Sequence, residues 1–160
     1  MTAYEKIVKL LKDNNIQLEE LRHAPVRTSE EAALTRPEIS LSQGAKALIV
    51  KVKLKGKSES MFLMVVVPGD KRFDSKKVKA LLGAKDITFA AEEDVIRITE
   101  GVLPGGVPPF GNIFGLRTIA DSSILQHEKI AFNAGDRSIS IIMRRDDWQK
   151  VVTPEIQEIA

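Results

Sequence analysis

The sequence predicts an α+β domain in which helices flank a mixed, mostly antiparallel and barrel-like β-sheet. Helical and strand-like segments interleave along the 160 residues without the regular strand–helix–strand rhythm of a parallel α/β sheet. We expect roughly six or seven strands, enough for a curved sheet. A hydrophobic content of 43% and a charged content of 29% are typical of a globular protein. The length fits one domain, residues 1–160, with one core.

Hydrophobic spacing and helix caps predict the N-terminal elements. Apolar residues three and four positions apart predict a first helix that ends at Asp13. Residues 17–21 then form a short extended segment. Thr28 has the pattern of an N-cap, with Glu31 three residues later, so a short second helix is expected up to Leu34.

Runs of apolar and β-branched residues predict the strands. The clearest two are residues 45–55 and 61–67, which a polar hairpin loop joins. A helix that begins at Asp74 or Ser75 ends at Gly83. The remaining elements are predicted as strands at 87–90, 116–120, 129–133 and 138–143, and as helices at 92–98 and 146–151.

Composition excludes several classes of protein. No apolar run approaches the about 20 residues of a membrane-spanning helix, and the N-terminus lacks the apolar region of a signal peptide. The chain has no cysteine, so disulfides and thiol nucleophiles are excluded, and we expect a cytoplasmic location. The net charge of +2 is small, so a polyanionic partner would have to bind at a local basic patch.

Motifs for metal, nucleotide and nucleophilic catalysis are absent. The two histidines, His23 and His127, lie far apart without ligand spacing, and we expect neither a metal nor another cofactor. There is no nucleophile elbow, Walker loop or dinucleotide fingerprint. A reaction on this chain would therefore depend on backbone amides, one lysine and the substrate itself.

Residues 99–111 form the most informative segment. They contain four of the ten glycines and three of the seven prolines, a composition that no helix or central strand tolerates. Val102, Val107 and Phe110 are apolar, so the segment is not a solvated linker. It indicates a rigid, partly buried loop whose glycines let the backbone approach a ligand. The alternative is a packed structural turn.

Lys46 is unusual because of the strand face that it occupies. Side chains alternate along a strand, so Lys46 shares its face with Leu48, Val50, Val52 and Leu54. Burying an ammonium group is costly unless a partner is present. Lys46 therefore either extends to solvent at the strand end or places a cation at the mouth of a pocket.

Two groups of basic residues could meet a polyanion. Lysines occupy every second position from 51 to 57, and a second group spans 71–79. Such runs form solvated faces and guard edge strands, or they neutralise RNA phosphates. No aromatic residue is interleaved with the first group, which argues against readout by base stacking.

Four segments occur in the order found in a known family. They are HAPVRTSEEAA (23–33), GAKALIVK (44–51), VVVPGD (65–70) and TEGVLPGGVPPFG (99–111). Together they resemble the YbaK/ProX family, which is related to the editing insertion domain of bacterial prolyl-tRNA synthetase. The similarity extends over essentially the whole chain.

The resemblance implies a deacylase that hydrolyses mischarged tRNA in trans, typically tRNA-Pro that carries Ala, Cys or a similar small residue. Its partners would be the acceptor end of tRNA and prolyl-tRNA synthetase, with no role for DNA or membranes. The catalytic positions are Lys46, which would hold the terminal adenosine or its phosphate, and Gly101, Pro104 and Gly105. That loop would offer amides to the ester carbonyl.

The same comparison gives the binding positions. Asn133 lies near a polar pocket residue of the family that is often His, so no general base is expected there, and a turn-forming Asn is the alternative. The vicinal ribose hydroxyl of the substrate would then position the attacking water. The substrate-binding positions are His23, Thr28, Pro109, Phe110, Asn133 and Gly135, and the tRNA contacts are Lys51, Lys53, Lys55, Lys71 and Arg72.

The residues alone do not exclude two other classes of function. One is a non-catalytic module that binds tRNA, a small ligand or a synthetase, and the other is a hydrolase of a different acyl ester. The residues also leave the removed amino acid open, because selectivity among small side chains amounts to only about 1–3 kcal/mol per methylene.

Overall fold

Two β-sheets and five α-helices form the domain, and the computed structural model describes all 160 residues. The helices are α1 (Ala3–Asp13), α2 (Ser29–Leu34), α3 (Ser75–Leu82), α4 (Glu92–Thr99) and α5 (Arg145–Val152). The strands are β1 (Glu19–Arg22), β2 (Ala45–Leu54), β3 (Ser60–Pro68), β4 (Ala84–Phe89), β5 (Thr118–Asp121), β6 (Lys129–Asn133), β7 (Ile139–Arg144) and β8 (Glu155–Gln157). None of the helices has the length and apolar composition that a bilayer crossing requires.

The strands form one mixed and one antiparallel sheet. The larger sheet has the order β4-β2-β3-β5-β8, with antiparallel pairs around β2 and parallel pairs around β5. The smaller sheet, β1-β7-β6, is antiparallel throughout. A single parallel bridge between Gly44 and Ala131 links the two sheets. The predicted α+β class with mostly antiparallel pairing is confirmed, but the strands do not close into a barrel, because this single bridge, and no continuous strand pairing, joins the two sheets.

Strand β2 separates two apolar cores. Ala47 and Ile49 pack in the larger core, to which both sheets contribute. Val50 and Val52 pack in a smaller core together with Val78 of α3. Because side chains alternate along the strand, both of its faces are apolar where the strand is covered.

Helix α2 starts as its sequence predicts, with one difference. The Thr28 hydroxyl caps the helix by accepting the backbone N–H of Glu31 at 3.1 Å. The Glu31 carboxylate accepts the N–H of Arg27 at 2.9 Å, where a capping box would use the N–H of Thr28. The helix ends at Leu34, as predicted, and Arg36 then turns inward to a position that is only 6% exposed.

The end of the chain contains a strand that the sequence pattern does not predict. Strand β8 has three residues and directly follows Pro154, so it lacks the length of a recognisable strand pattern. Its parallel pairing with β5 places Glu155 beside Arg117, whose Nη2 donates to the Glu155 carboxylate at 2.7 Å. Long-range pairing therefore defines this strand.

Asp121 fixes the last two residues to β5. Its carboxylate accepts N–H bonds from Ser123 at 3.1 Å, Ile159 at 2.9 Å and Ala160 at 3.1 Å, and it is 3% exposed. Burial alone would raise the pKa of Asp121, but the hydrogen bonds from Ser123, Ile159 and Ala160 outweigh burial and lower that pKa. The ionised carboxylate is thus part of the folded structure.

We expect Asp121→Asn to lower the free energy of unfolding by about 1–3 kcal/mol, because an amide nitrogen does not accept the bonds that a carboxylate oxygen accepts. Since the pKa is lowered in the folded state, this stabilisation is present at neutral pH and is lost as the pH falls through the folded-state pKa. Chemical denaturation should therefore show a difference in unfolding free energy between wild type and Asp121→Asn that becomes smaller as the pH is lowered. Asp13→Asn, in an exposed pair with Lys9, is the control. Equal unfolding free energies for wild type and Asp121→Asn would contradict the expectation.

Candidate active site

A cleft of about 460 Å³ lies where the two sheets meet at the Gly44–Ala131 bridge. Helix α2 and the start of β2 provide one part of its wall, and the end of β6 and the glycine- and proline-rich loop provide another. Of the predicted site residues, the cleft brings together Lys46, Thr28, Pro104, Gly105 and Asn133.

Lys46 lies half-buried in the cleft wall. Its ammonium group donates one hydrogen bond, to the backbone carbonyl of Lys71 at 3.0 Å, so two N–H donors have no acceptor within the chain. Burial lowers the pKa of Lys46; the nearby Glu30 and Asp70 carboxylates raise that pKa, and Arg72 lowers it further. The arrangement leaves a cation with free donors beside the cleft.

Four hydrogen bonds hold the glycine- and proline-rich loop against the end of β6 and the turn that follows it, two of them from Arg137 to the carbonyl of Pro104. Arg137 Nε donates to the carbonyl of Pro104 at 2.9 Å, and Asn133 Nδ2 donates to the carbonyl of Gly105 at 2.7 Å. The backbone N–H of Gly135 donates to the carbonyl of Gly106 at 2.9 Å. The loop is therefore fixed through its carbonyls.

Two loop residues in the cleft lining have free amides. Gly105 and Val107 line the cleft, and their backbone N–H groups donate to no acceptor within the chain. Fixed, unoccupied backbone donors are the chemical requirement for stabilising a developing oxyanion. This geometry suits the role predicted for the loop, which stays a prediction.

Arg36 is a cleft residue that the sequence does not reveal. Its Nε donates to Ser140 Oγ at 3.0 Å, and its Nη2 donates to Asn133 Oδ1 at 3.2 Å. Burial lowers the pKa of Arg36 to about 10, so the group remains charged at neutral pH. In sequence it is a basic residue between a helix end and Pro37, which is typical of a solvated position.

His23 lies outside the cleft lining and contacts the same network from behind. Its Nδ1 donates to the carbonyl of Ala24 at 2.8 Å, because a carbonyl only accepts. Its Nε2 pairs with Ser140 Oγ at 2.8 Å. His23 therefore supports Ser140 rather than lining the predicted substrate pocket.

Two predicted pocket residues belong to the core instead. The carbonyl of Pro109 accepts the indole N–H of Trp148 at 2.8 Å, and Phe110 is fully buried. The ring of Phe110 packs against Phe132 with centroids 5.3 Å apart. Pro109 and Phe110 therefore lie outside the lining of the cleft, and their binding of substrate stays a prediction.

Two predicted glycines also lie outside the cleft lining. Gly101 is exposed with φ +115°, and a Cβ there would meet no atom within 4 Å. Gly135 has φ +85°, and a Cβ there would come within 2.9 Å of the Ala3 side chain. Both positions need glycine for backbone conformation, and Gly135 also for space.

The basic residues divide into two groups. Lys71 and Arg72 lie beside Lys46, as the bond to the Lys71 carbonyl shows. Lys51 and Lys53 are exposed on β2, and Lys53 is roughly 17 Å along the strand from the cleft residue Leu48. Lys55 follows the end of β2 and is exposed. Their contact with tRNA stays a prediction.

No three His, Asp or Glu side chains cluster in a way that could hold a metal ion. The polar side chains that line the cleft include Lys46, Arg36 and Asn133.

Comparison with known proteins identifies the domain. The family model described as the aminoacyl-tRNA editing domain matches residues 23–151. The chain belongs to this family. The match includes α2, Lys46 and the whole glycine- and proline-rich loop of the editing domain.

Individual relatives agree with the family. The multifunctional Ser/Thr-tRNA deacylase ProXp-y of Escherichia coli K12 is 27% identical over 96% of this editing domain and 90% of its own length. A proline–tRNA ligase of Bacillus licheniformis is 34% identical over 68% of this chain, which corresponds to 18% of the ligase. A crystal structure of a proposed trans-editing enzyme for prolyl-tRNA synthetase has a TM-score of 0.80 at 22% identity, covering 99% of this chain and 97% of the other, and shows the shared fold.

Proposed function

We propose that this editing domain is an aminoacyl-tRNA deacylase that hydrolyses the ester of mischarged tRNA in trans, with tRNA-Pro carrying Ala, Cys or a similar small residue as its substrate. The observation that carries the proposal is one cleft lined by Lys46, Gly105 and Val107, where the amides of Gly105 and Val107 donate to no acceptor within the chain. Membership of the editing family and the names of its deacylase relatives support it. A prolyl-tRNA synthetase is the second partner that the relatives favour.

The cleft suits ester hydrolysis without a protein nucleophile. Water attacks the ester carbonyl, and the amides of Gly105 and Val107 donate to the oxyanion that develops there. The acyl C–O bond then breaks, the ribose oxygen leaves as a hydroxyl with the proton lost by the water, and the free amino acid is released. The two free N–H donors of Lys46 hold the terminal adenosine. Asn133 does not act as a base, because its Oδ1 accepts from Arg36 and its Nδ2 donates to Gly105. The vicinal ribose hydroxyl of the substrate then positions the water.

Glu30 provides the control for the proposal that the ribose hydroxyl positions the water. It is the one carboxylate in the lining of the cleft. If the substrate hydroxyl positions the water, Glu30→Gln should keep the wild-type rate of hydrolysis. A large loss of rate in this variant would assign the base to Glu30 and remove the substrate-assisted step.

The proposed function is tested by a panel of purified tRNA substrates. The panel contains tRNA-Pro charged with Ala, Cys or Pro, and tRNAs charged with Ser or Thr, which the name of the Escherichia coli relative suggests. We expect hydrolysis of Ala- and Cys-tRNA-Pro above the rate in buffer, with Pro-tRNA-Pro spared. Hydrolysis of the Ser and Thr esters alone would support the deacylase activity but contradict the proposed tRNA-Pro substrate. Binding of tRNA without any hydrolysis would favour the non-catalytic module.

We also expect deacylation to persist in excess chelator, because no side chains cluster as metal ligands. The measurement is the rate of hydrolysis after dialysis against the chelator. A rate that is lost on dialysis and restored by zinc would show that a metal takes part.

A further inference from the structure

Arg36 presents an unused edge of its guanidinium group at the cleft. A guanidinium has five N–H donors. The edge formed by Nε and Nη2 is occupied by Ser140 and Asn133 at 3.0 and 3.2 Å. Both N–H groups of Nη1 and the second one of Nη2 have no acceptor within the chain, although Arg36 is only 6% exposed. Three donors are thus held in a fixed orientation without a partner.

The charge of Arg36 also lacks a partner. No carboxylate oxygen lies within the 4.0 Å of an ion pair. A buried charge is ordinarily paired, because removing it from water is costly. An anion bound in the cleft would supply both the missing charge and the missing acceptors.

The rest of the cleft favours an anion as well. Its lining contains four cationic side chains and one carboxylate, a formal charge of +3. The cations are Arg27, Arg36, Lys46 and Arg137, and the carboxylate is Glu30. Converging cations of one sign attract and retain an anionic ligand.

We propose that the free edge of Arg36 binds the phosphate of the substrate's terminal nucleotide. This edge matches two phosphate oxygens in a bidentate contact, which a lysine does not reproduce. The inference rests on the proposed function: the amino acid of an aminoacyl-tRNA is esterified and has no free carboxylate, so the nearest anion is the phosphodiester before the terminal adenosine.

The position of Arg36 couples this phosphate to the reacting ester. Arg36 Nη2 contacts Asn133 Oδ1, and Asn133 Nδ2 contacts the carbonyl of Gly105. One continuous hydrogen-bonded path therefore fixes the phosphate contact relative to the loop amides. Lys46 is left to hold the ribose of the same nucleotide.

The experiment measures dissociation constants of 5′-AMP and of adenosine by calorimetry. Wild type should bind 5′-AMP more tightly than adenosine by about tenfold or more. Arg36→Gln should abolish most of this preference, and Arg36→Lys should keep only part of it. Arg97→Gln, an exposed arginine of α4 that pairs with Asp94, is the matched control and should bind both ligands as wild type does.

The other outcomes either overturn the inference or separate it from the proposed function. A 5′-AMP preference that persists in Arg36→Gln would assign the phosphate to another cation. A lower kcat with unchanged 5′-AMP binding would place Arg36 at the oxyanion. If melting curves show that Arg36→Gln is unfolded, the test uses Arg36→Lys. A 5′-AMP preference as large as that of wild type in Arg36→Lys contradicts the bidentate contact. Active deacylation with equal affinities for 5′-AMP and adenosine rejects this inference and leaves the proposed function intact. Arg36-dependent binding of 5′-AMP without any deacylation keeps this inference and rejects the proposed function.

Discussion

Replacement of Lys46 by alanine should lower the rate of deacylation by about 10²-fold or more, the scale of losing a donor to the reacting centre. The variant loses the ammonium group of a residue that lines the cleft and has two N–H donors without an acceptor in the chain. It should fold normally, because Lys46 makes one hydrogen bond, to the carbonyl of Lys71, and belongs to neither apolar core. The measurements are the initial rate on mischarged tRNA and the melting temperature.

Lys85→Ala is the control for this variant, since Lys85 is an exposed lysine of β4 outside the cleft. A further readout is the pH dependence of the wild-type rate, corrected for spontaneous ester hydrolysis. Because burial lowers the pKa of Lys46, the cation is lost at a lower pH than for an ordinary lysine, and the rate should decline there as the pH rises. A Lys46→Ala variant that deacylates tRNA at the wild-type rate would refute the proposed role of Lys46 in the reaction.

The second large effect is expected from a pair of glycine variants in the same loop. Gly105 has φ +90° and Gly101 has φ +115°, so alanine strains the backbone at both positions. Only Gly105 lines the cleft, and a Cβ there would lie 3.4 Å from Arg137 Nε and 3.5 Å from the Arg27 carbonyl. Gly105→Ala should therefore displace a free amide and lower turnover by about 10²-fold.

Gly101→Ala should instead lower stability by about 1–3 kcal/mol and leave the turnover of the folded fraction unchanged, because the added methyl group meets open space. Turnover numbers per folded molecule, with the folded fraction taken from denaturation curves, separate the two effects. Equal losses of turnover in both variants would show that the loop acts as a whole and not through the amide of Gly105.

Local patterns predicted the elements well. The Thr28 cap, the end of α3 at Gly83 and the placement of Lys46 follow from spacing along a few residues, and the structure has all three. The number and closure of the sheets did not follow, because they depend on pairing between distant strands. Strand β8 is defined only by its parallel partner β5.

The candidate site was predictable only in part. Lys46 was found from strand alternation, and its meeting with Pro104 and Gly105 was implied by the family resemblance. Arg36 was missed because its surroundings come from Asn133 and Ser140, which are 97 and 104 residues away in sequence. The burial of Phe110 outside the cleft lining was not predicted, because nothing in the composition of the loop marks where the chain leaves the cleft and enters the core.

Trp148 gives the protein an internal optical reporter. It is the only tryptophan of the chain, it is fully buried, and its indole N–H donates to the carbonyl of Pro109. Its fluorescence therefore responds both to unfolding, through exposure of the ring to water, and to the seating of the segment that continues the loop into the core. An emission spectrum can thus show, without label or substrate, whether a loop variant has lost its fold or only its chemistry.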